Sequence, residues 1–365
     1  MIVSNKFEFI QKKKEKFGYL LLFKVSIAVD CLYSIANFTN PALVRKATVN
    51  ECKFSRSAGS LLLIISVISF IINIRSLPMN NKIYCLPRRD IGLVFGMFAS
   101  SLCVIIISVP SVVAQCFLCR RLCISLICRI EGFNSFFNGC FTMYMLVALS
   151  IVRYATTANS SMSAELQRRL EKHSWHFVAI CFILGSVWAV PPIFGRMSAY
   201  VPEGLGFHCG LDWFNRSLAG RIYFFLLFVG VFFIPVIVVI YVNVYIQRTV
   251  YRLTHLKPSV LLELQPIPSG DNIRRHVSNA LCEKETRRLH RLHDDRRFVL
   301  ATGISVIIYI IAWTPYSVVA LAQVFGDQFS LYNPWLMTTC AVLAKLSMIT
   351  NPIIYGIMLK SHIVM

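Results

Sequence analysis

In AVLAKLSMITNPIIYG, the apolar stretch from Ala341 to Gly356, Lys345 is the one charged residue. An ammonium inside a membrane span is costly unless it meets an anion. Snorkelling does not relieve it, because ten residues separate Lys345 from Tyr355, near the cytoplasmic end. One acid lies at matching depth. Glu131 stands three residues past Cys128 in another long apolar run, about one helical turn into the bilayer. Pairing the two makes each charge tolerable. Other chemistry is thin: there is no Ser/His/Asp spacing and no Gly-rich phosphate loop, and the eight histidines scatter mainly in loops. The chain does not read as an enzyme, and Cys116 and Cys119 form a Cys-x-x-Cys pair without a metal-like partner.

The elements that must position these residues follow from composition. Hydrophobic residues make up 56% of the 365, and charged residues only 15%. Such a chain needs lipid as part of its solvent. Apolar runs fall near 58–76, 91–115, 126–153, 174–196, 220–247, 298–324 and 333–358, which predicts an all-α bundle of seven transmembrane helices. Net charge is +20, but it lies between the apolar runs, so the positive-inside rule explains it better than nucleic acid does. The basic break from Gln247 to Arg297 carries Pro258, Pro266, Pro268 and Gly270, so its first half reads as cytoplasmic loop. Alternation then puts the beginning of the first span outside, in a multi-pass plasma-membrane protein.

Residues 1–57 form an N-terminal region, in which 1–36 resemble a cleaved signal peptide or else an eighth, poorer span. Asn37 and Asn215 head glycosylation sequons that both face outward in this topology. The seven-span body is expected over 58–358, with a short cytoplasmic tail at 359–365. From Cys128 to Arg153 the third run covers about 37 Å, the full membrane and a little more. Cys128 is therefore outside, where Cys209 could bridge to it; Cys116, Cys119 and Cys123 remain alternative partners.

Order and spacing of several motifs resemble rhodopsin-like (class A) G-protein-coupled receptors: Arg153-Tyr154 ends the third span, Trp313-Thr314-Pro315-Tyr316 lies in the sixth and Asn351-Pro352-Ile353-Ile354-Tyr355 in the seventh. Asn73 and Pro235 fall where that class keeps an asparagine and a proline. Within it, Lys345, six residues before Asn351, resembles the retinal-attachment lysine of animal opsins. CRIEGF and PPIFGRMSAYVPEGLGFHCGLDW resemble the opsin third-span start and second extracellular loop. Pro110 and VLAKLSMITNPIIY lean towards neuropsin-like, non-visual opsins.

The resemblance implies a retinal cofactor, 11-cis in the dark, held by Lys345 as a protonated Schiff base. It also implies a counterion, Glu131 first and Glu203 second, since a buried cation without one gives up its proton. Gly139, Phe228, Phe232, Trp313 and Tyr316 match pocket positions. Arg153, Asp295, Asn351, Pro352 and Tyr355 match the signalling end, where a heterotrimeric G protein would dock.

Several residues depart from the pattern. Val152 replaces the acid before Arg153, Ser101 stands for a second-span aspartate, Asn243 for a fifth-span tyrosine and Phe182 for a fourth-span tryptophan. These touch the signalling end more than the pocket. A retinal photoisomerase with weak coupling is therefore the alternative to a light-activated receptor, followed by a class A receptor without retinal. A retinal-driven ion pump would need further intramembrane acids, which the spans hardly offer.

Overall fold

The computed structural model describes residues 47–76, 88–119, 126–158, 173–255, 272–326 and 333–360. The predicted signal segment, Asn37 and most of the tail lie outside them, as do Pro258, Pro266, Pro268 and Gly270. Among the described residues, seven helices are long and apolar enough to cross a membrane. They are α1 (Val49–Ser76), α2 (Arg88–Cys103, Val104–Ser108 and Val109–Leu118), α3 (Leu126–Ala158), α4 (Ser174–Ala189), α5 (Leu218–Leu227, Phe228–Phe233 and Ile234–His255), α6 (Asn272–Phe325) and α7 (Pro334–Lys360). A hairpin of β1 (Tyr200–Glu203) and β2 (His208–Leu211) sits between α4 and α5 in sequence. The protein is a multi-pass membrane protein.

Helix ends differ from the apolar runs for local reasons. α1 begins nine residues ahead of the predicted run because Thr48 and Glu51 form a capping box: Glu51 Oε2 accepts from the Thr48 N–H at 2.8 Å, and Thr48 Oγ1 accepts from the Glu51 N–H at 3.3 Å. α4 ends early because Pro191 and Pro192 open a 3₁₀ turn, Pro191–Phe194. Ser217 caps α5 by accepting the Gly220 N–H at 3.0 Å.

Two helices carry a wider turn. The middle pieces of α2 and α5 are π-helical, with the Val109 N–H reaching the Val104 carbonyl and the Ile234 N–H reaching that of Val229. Each lies just ahead of a proline, Pro110 or Pro235, which supplies no N–H and crowds the carbonyl four residues back. A π-turn absorbs that mismatch without breaking the span.

The third helix is the hub. It packs against α2, α4, α5, α6, α7 and both strands of the hairpin. The hairpin pairs Tyr200 with Leu211 and Glu203 with His208, antiparallel. Its connecting turn uses Gly204 and Gly206 at φ of +56° and +86°, which L side chains rarely adopt. The Leu205 N–H then donates to Thr338 Oγ1 of α7 at 2.9 Å, so the hairpin lies on the bundle as a buried cap. Among the described residues, two disulfides fix this end: Cys128–Cys209 joins α3 to β2, and Cys52–Cys119 joins α1 to the end of α2. The second takes Cys119 out of the Cys-x-x-Cys pair.

Beyond the hairpin, Asp212 accepts the Phe214 N–H at 3.1 Å, and burial pushes its carboxyl above the usual carboxylate range, with that N–H pulling the other way. A raised folded-state value means that the folded chain holds its proton longer than the unfolded chain. The associated stability is present below about pH 4, near the unfolded value, and is lost as pH rises through the folded value. Asp212→Asn is therefore expected to melt higher than the parent at neutral pH, with the difference shrinking to nothing near about pH 4. Thermal unfolding in detergent at the two pH values checks this; an unchanged difference would sink it.

Candidate functional site

Lys345 comes from the middle of α7 and Glu131 from the outer part of α3, and the bundle brings them together. The ammonium lies 2.8 Å from Glu131 Oε1, with the two side chains 5% and 1% exposed. It also donates to Ser135 Oγ at 2.8 Å. Ser135 donates in turn to Glu131 Oε1 at 3.0 Å. The other carboxylate oxygen, Oε2, accepts the Cys209 N–H at 2.6 Å. Each carboxylate oxygen thus meets a donor, as a buried charge requires. Taking two charges out of water is unfavourable, and breaking such a pair by removing one partner typically costs about 3–5 kcal/mol.

Below the pair runs a hydrogen-bonded polar strip, which the sequence reading did not single out. Ser108, at the end of the α2 π-turn, is 3.1 Å from Ser135 Oγ and accepts from Asn134 Nδ2 at 2.7 Å. Asn138 Nδ2 donates to Asn134 Oδ1 at 2.9 Å, and Ser100 donates to Asn138 Oδ1 at 2.8 Å. The spacing of Glu131, Asn134, Ser135 and Asn138 at three and four residues was the available signal, since it puts all four on one face of α3.

Glu203 belongs to a second polar group. Its Oε1 accepts from Trp213 Nε1 at 2.7 Å and from the Tyr316 hydroxyl at 2.9 Å. Its Oε2 lies 3.2 Å from His208 Nε2. Gly210 makes room for it: a Cβ there would run into the Glu203 carboxylate. Among the described residues, no hydrogen bond or ion pair joins Glu203 to Lys345.

Of the predicted aromatics, Trp313, Tyr316 and Phe228 pack beside these groups, while Phe232 lies against Phe233. Trp313 stacks on Tyr309 with ring centres 5.4 Å apart, and its Nε1 donates to Ser347 at 3.0 Å. Tyr316 meets Trp313 edge-on at 5.8 Å, and Trp213 stacks on Phe228 at the same separation. Phe232 is half-buried, with its ring against Phe233 at 5.5 Å. Tyr144 donates to the carbonyl of Gly230 at 3.1 Å and so ties the α5 π-turn to α3. Gly139 is where Trp313 comes closest to α3: a Cβ there would sit 2.5 Å from Cη2 and 2.7 Å from Cζ2 of that ring. With Trp313 held by Tyr309 and Ser347, it has little freedom to give way. Gly139→Ala is expected to lower stability by about 1–3 kcal/mol, the usual penalty for overpacking. A thermal midpoint equal to the parent's would show that the ring moves aside freely.

At the end of the bundle away from the hairpin, Arg153, Asn351 and Tyr355 are all buried. Tyr355 OH lies 3.2 Å from Thr302 Oγ1 of α6. Asn243 donates to Ser150 at 2.9 Å, joining α5 to α3 one residue from Val152's neighbour Ile151. Ser101 lies 3.5 Å from Ser69, near Asn73. The Asp295 side chain lies outside the described residues. Asn215 Nδ2 donates to the Met197 carbonyl at 2.8 Å.

Residues 92–355 match the seven-transmembrane receptor (rhodopsin family) model. The chain belongs to the rhodopsin family of seven-transmembrane receptors. Its kinship within that family is with the animal opsins. It is 31% identical over 230 residues to Melanopsin-A of Danio rerio, a match spanning 63% of this chain and 35% of that protein. It is 28% identical over 231 residues to melanopsin of Felis catus, spanning 63% of this chain and 43% of that one. The matched segment thus spans less than half the length of these curated relatives. The fold is that of squid rhodopsin, whose crystal structure superimposes with a TM-score of 0.70 at 21% identity over 88% of this chain and 82% of that one.

Proposed function

We propose that this protein is a light-sensing receptor that carries retinal on Lys345 and passes the light signal to a heterotrimeric G protein. The observation behind this is the buried amine itself: Lys345 lies 2.8 Å from Glu131, in a membrane span that otherwise carries no charge near it. When bound, retinal supplies an aldehyde for that amine and a polyene that changes shape in light. The chain's own residues do the rest. Lys345 offers the nucleophilic nitrogen, and α7 holds it in an apolar interior where an amine competes poorly with water for protons unless an acid is beside it. Glu131 supplies that acid, oriented by Ser135 and the Cys209 N–H. Gly139, Phe228, Phe232, Trp313 and Tyr316 supply an apolar, ring-walled surrounding of the kind that suits a long conjugated ligand. What supports retinal is the run from Lys345 to Trp313: Ser347, two residues past Lys345 on α7, accepts the Trp313 Nε1–H, and that ring lies over Gly139 of α3, while Phe228 and Phe232 are carried by α5.

Arg153, Asn351, Pro352 and Tyr355 form the end from which a G protein would be reached, with Asp295 as the sixth-span acid. The receptor would sit in the plasma membrane with its first span starting outside, carrying sugar at Asn37 and Asn215. A retinal photoisomerase is the second reading, favoured by Val152, which stands where the family keeps an acid, and by the Asn243–Ser150 bond, which ties α5 to α3 near that position.

Purified protein incubated in the dark with 11-cis-retinal should show a visible band that Lys345→Ala lacks. Absorbance no different from free retinal would overturn the reading and favour a diffusible ligand. Light-dependent nucleotide exchange then separates the two pigment readings.

A further inference from the structure

His208 is a fully buried imidazole with no part in the scheme above. It faces Glu203 directly across the hairpin, and the ring nitrogen lies 3.2 Å from Oε2. The other groups on that carboxylate, Trp213 and the Tyr316 hydroxyl, are neutral donors. Among the described residues, His208 is therefore the one group in contact with Glu203 that can carry a positive charge. The next residue, Cys209, gives its N–H to Glu131. One peptide thus stands between two acids, and each acid has its own cationic neighbour: Lys345 for Glu131 and His208 for Glu203.

We propose that His208 decides which acid serves the Lys345 cation: as an imidazolium it neutralises Glu203 and leaves Glu131 as the working counterion. Two neutral pairs in a dry interior are far cheaper than one neutral pair beside an unpaired carboxylate, because an isolated buried charge has no compensation. Three hydrogen-bonding partners hold Glu203 on the side of α6 and the hairpin, so its compensated charge has little pull on Lys345. The proposal rests on the pigment reading for its consequence but not for the charge of the ring.

That distinction shapes the test. Histidine-selective ¹⁵N labelling of the full chain in detergent at neutral pH, without retinal, reads the ring itself. The His208 signal, assigned by its loss in His208→Gln, is expected to show both nitrogens protonated; a neutral ring overturns the proposal whether or not a pigment forms. In retinal-loaded protein, Glu131→Gln is expected to lose the visible band because Glu203 is already neutralised. Adding His208→Gln, which keeps a donor but removes the charge, frees Glu203 to act and should raise the visible fraction about tenfold or more. Adding His208→Lys should instead keep it at the Glu131→Gln level. Equal fractions in the Gln and Lys double variants would overturn the assignment, as would a Glu131→Gln protein with its band intact. Absence of a band in the parent protein would fail the pigment reading alone, with the ring spectrum still deciding His208.

Discussion

Glu131→Gln is expected to strip the retinal-loaded protein of most of its visible absorption at neutral pH and leave a near-ultraviolet band. Among the described residues, only Glu131 offers the Lys345 nitrogen a negative partner. Losing that partner leaves desolvation unopposed, and fully buried cationic groups then shift by as much as about 3–5 pH units towards the neutral form. At a fixed pH a shift of about 3 units is already a fall of about a thousandfold in the protonated-to-neutral ratio. The measurement is a pH titration of the visible band in parent and variant. The variant's band should reappear only on strong acidification. If its midpoint matched the parent's, the counterion would lie elsewhere, and Glu203 with its three partners would be the first place to look.

Breaking Cys128–Cys209 should have the second large effect, and a double one. The bridge closes a separation of 81 residues. Loss of a native disulfide commonly costs about 2–5 kcal/mol, so Cys209→Ser should fold and reach the cell surface poorly. It should also loosen the 2.6 Å hydrogen bond from the Cys209 N–H to Glu131, because the same bridge holds β2 against α3. Comparison with Cys52→Ser separates the two consequences. That variant breaks the other bridge, which closes 67 residues and touches neither acid. Both proteins should melt earlier, but only Cys209→Ser should shift the absorption band of whatever pigment survives. A shift of equal size in both would mean that the bridges act only through overall stability.

Depth along an apolar run made the main pair legible. Counting residues from Cys128 put Glu131 about one helical turn into the bilayer, and Lys345 was the one charge in its own apolar run, so a pair was expected before any helix was placed. The same count put Cys128 outside and made Cys209 a candidate partner. Cys52 escaped notice because it lies in the polar opening of α1, ahead of the apolar run, where only the Thr48–Glu51 capping box marks a helix. Ser135 was silent for another reason. A serine in a membrane helix usually satisfies itself on its own backbone, so composition does not reveal when it turns to an ammonium instead. The contact between Glu203 and His208 depends on a turn that starts at Gly204, and sequence spacing alone does not state how tightly the chain reverses. The π-turns are a matter of hydrogen-bond register, for which Pro110 and Pro235 were hints without being a measure.

Covalent and hydrogen-bonded ties accumulate at one end of this molecule. Cys52–Cys119 joins α1 and α2, Cys128–Cys209 joins α3 to the hairpin, and the hairpin is bound to α6 through Tyr316 and to α7 through Thr338. Such a bundle is clamped like a rod held at one end. Displacement grows with distance from the clamp, whatever sets it off. From Pro315 to Val299, the lower part of the α6 span, the helix is about 24 Å long at its fixed rise. A tilt of about 15° at the proline would carry the far end about 6 Å sideways, with almost no movement at the hairpin. Under the proposed function, small changes of shape beside Lys345 would be enlarged, by leverage alone, at the face where a partner would have to read them.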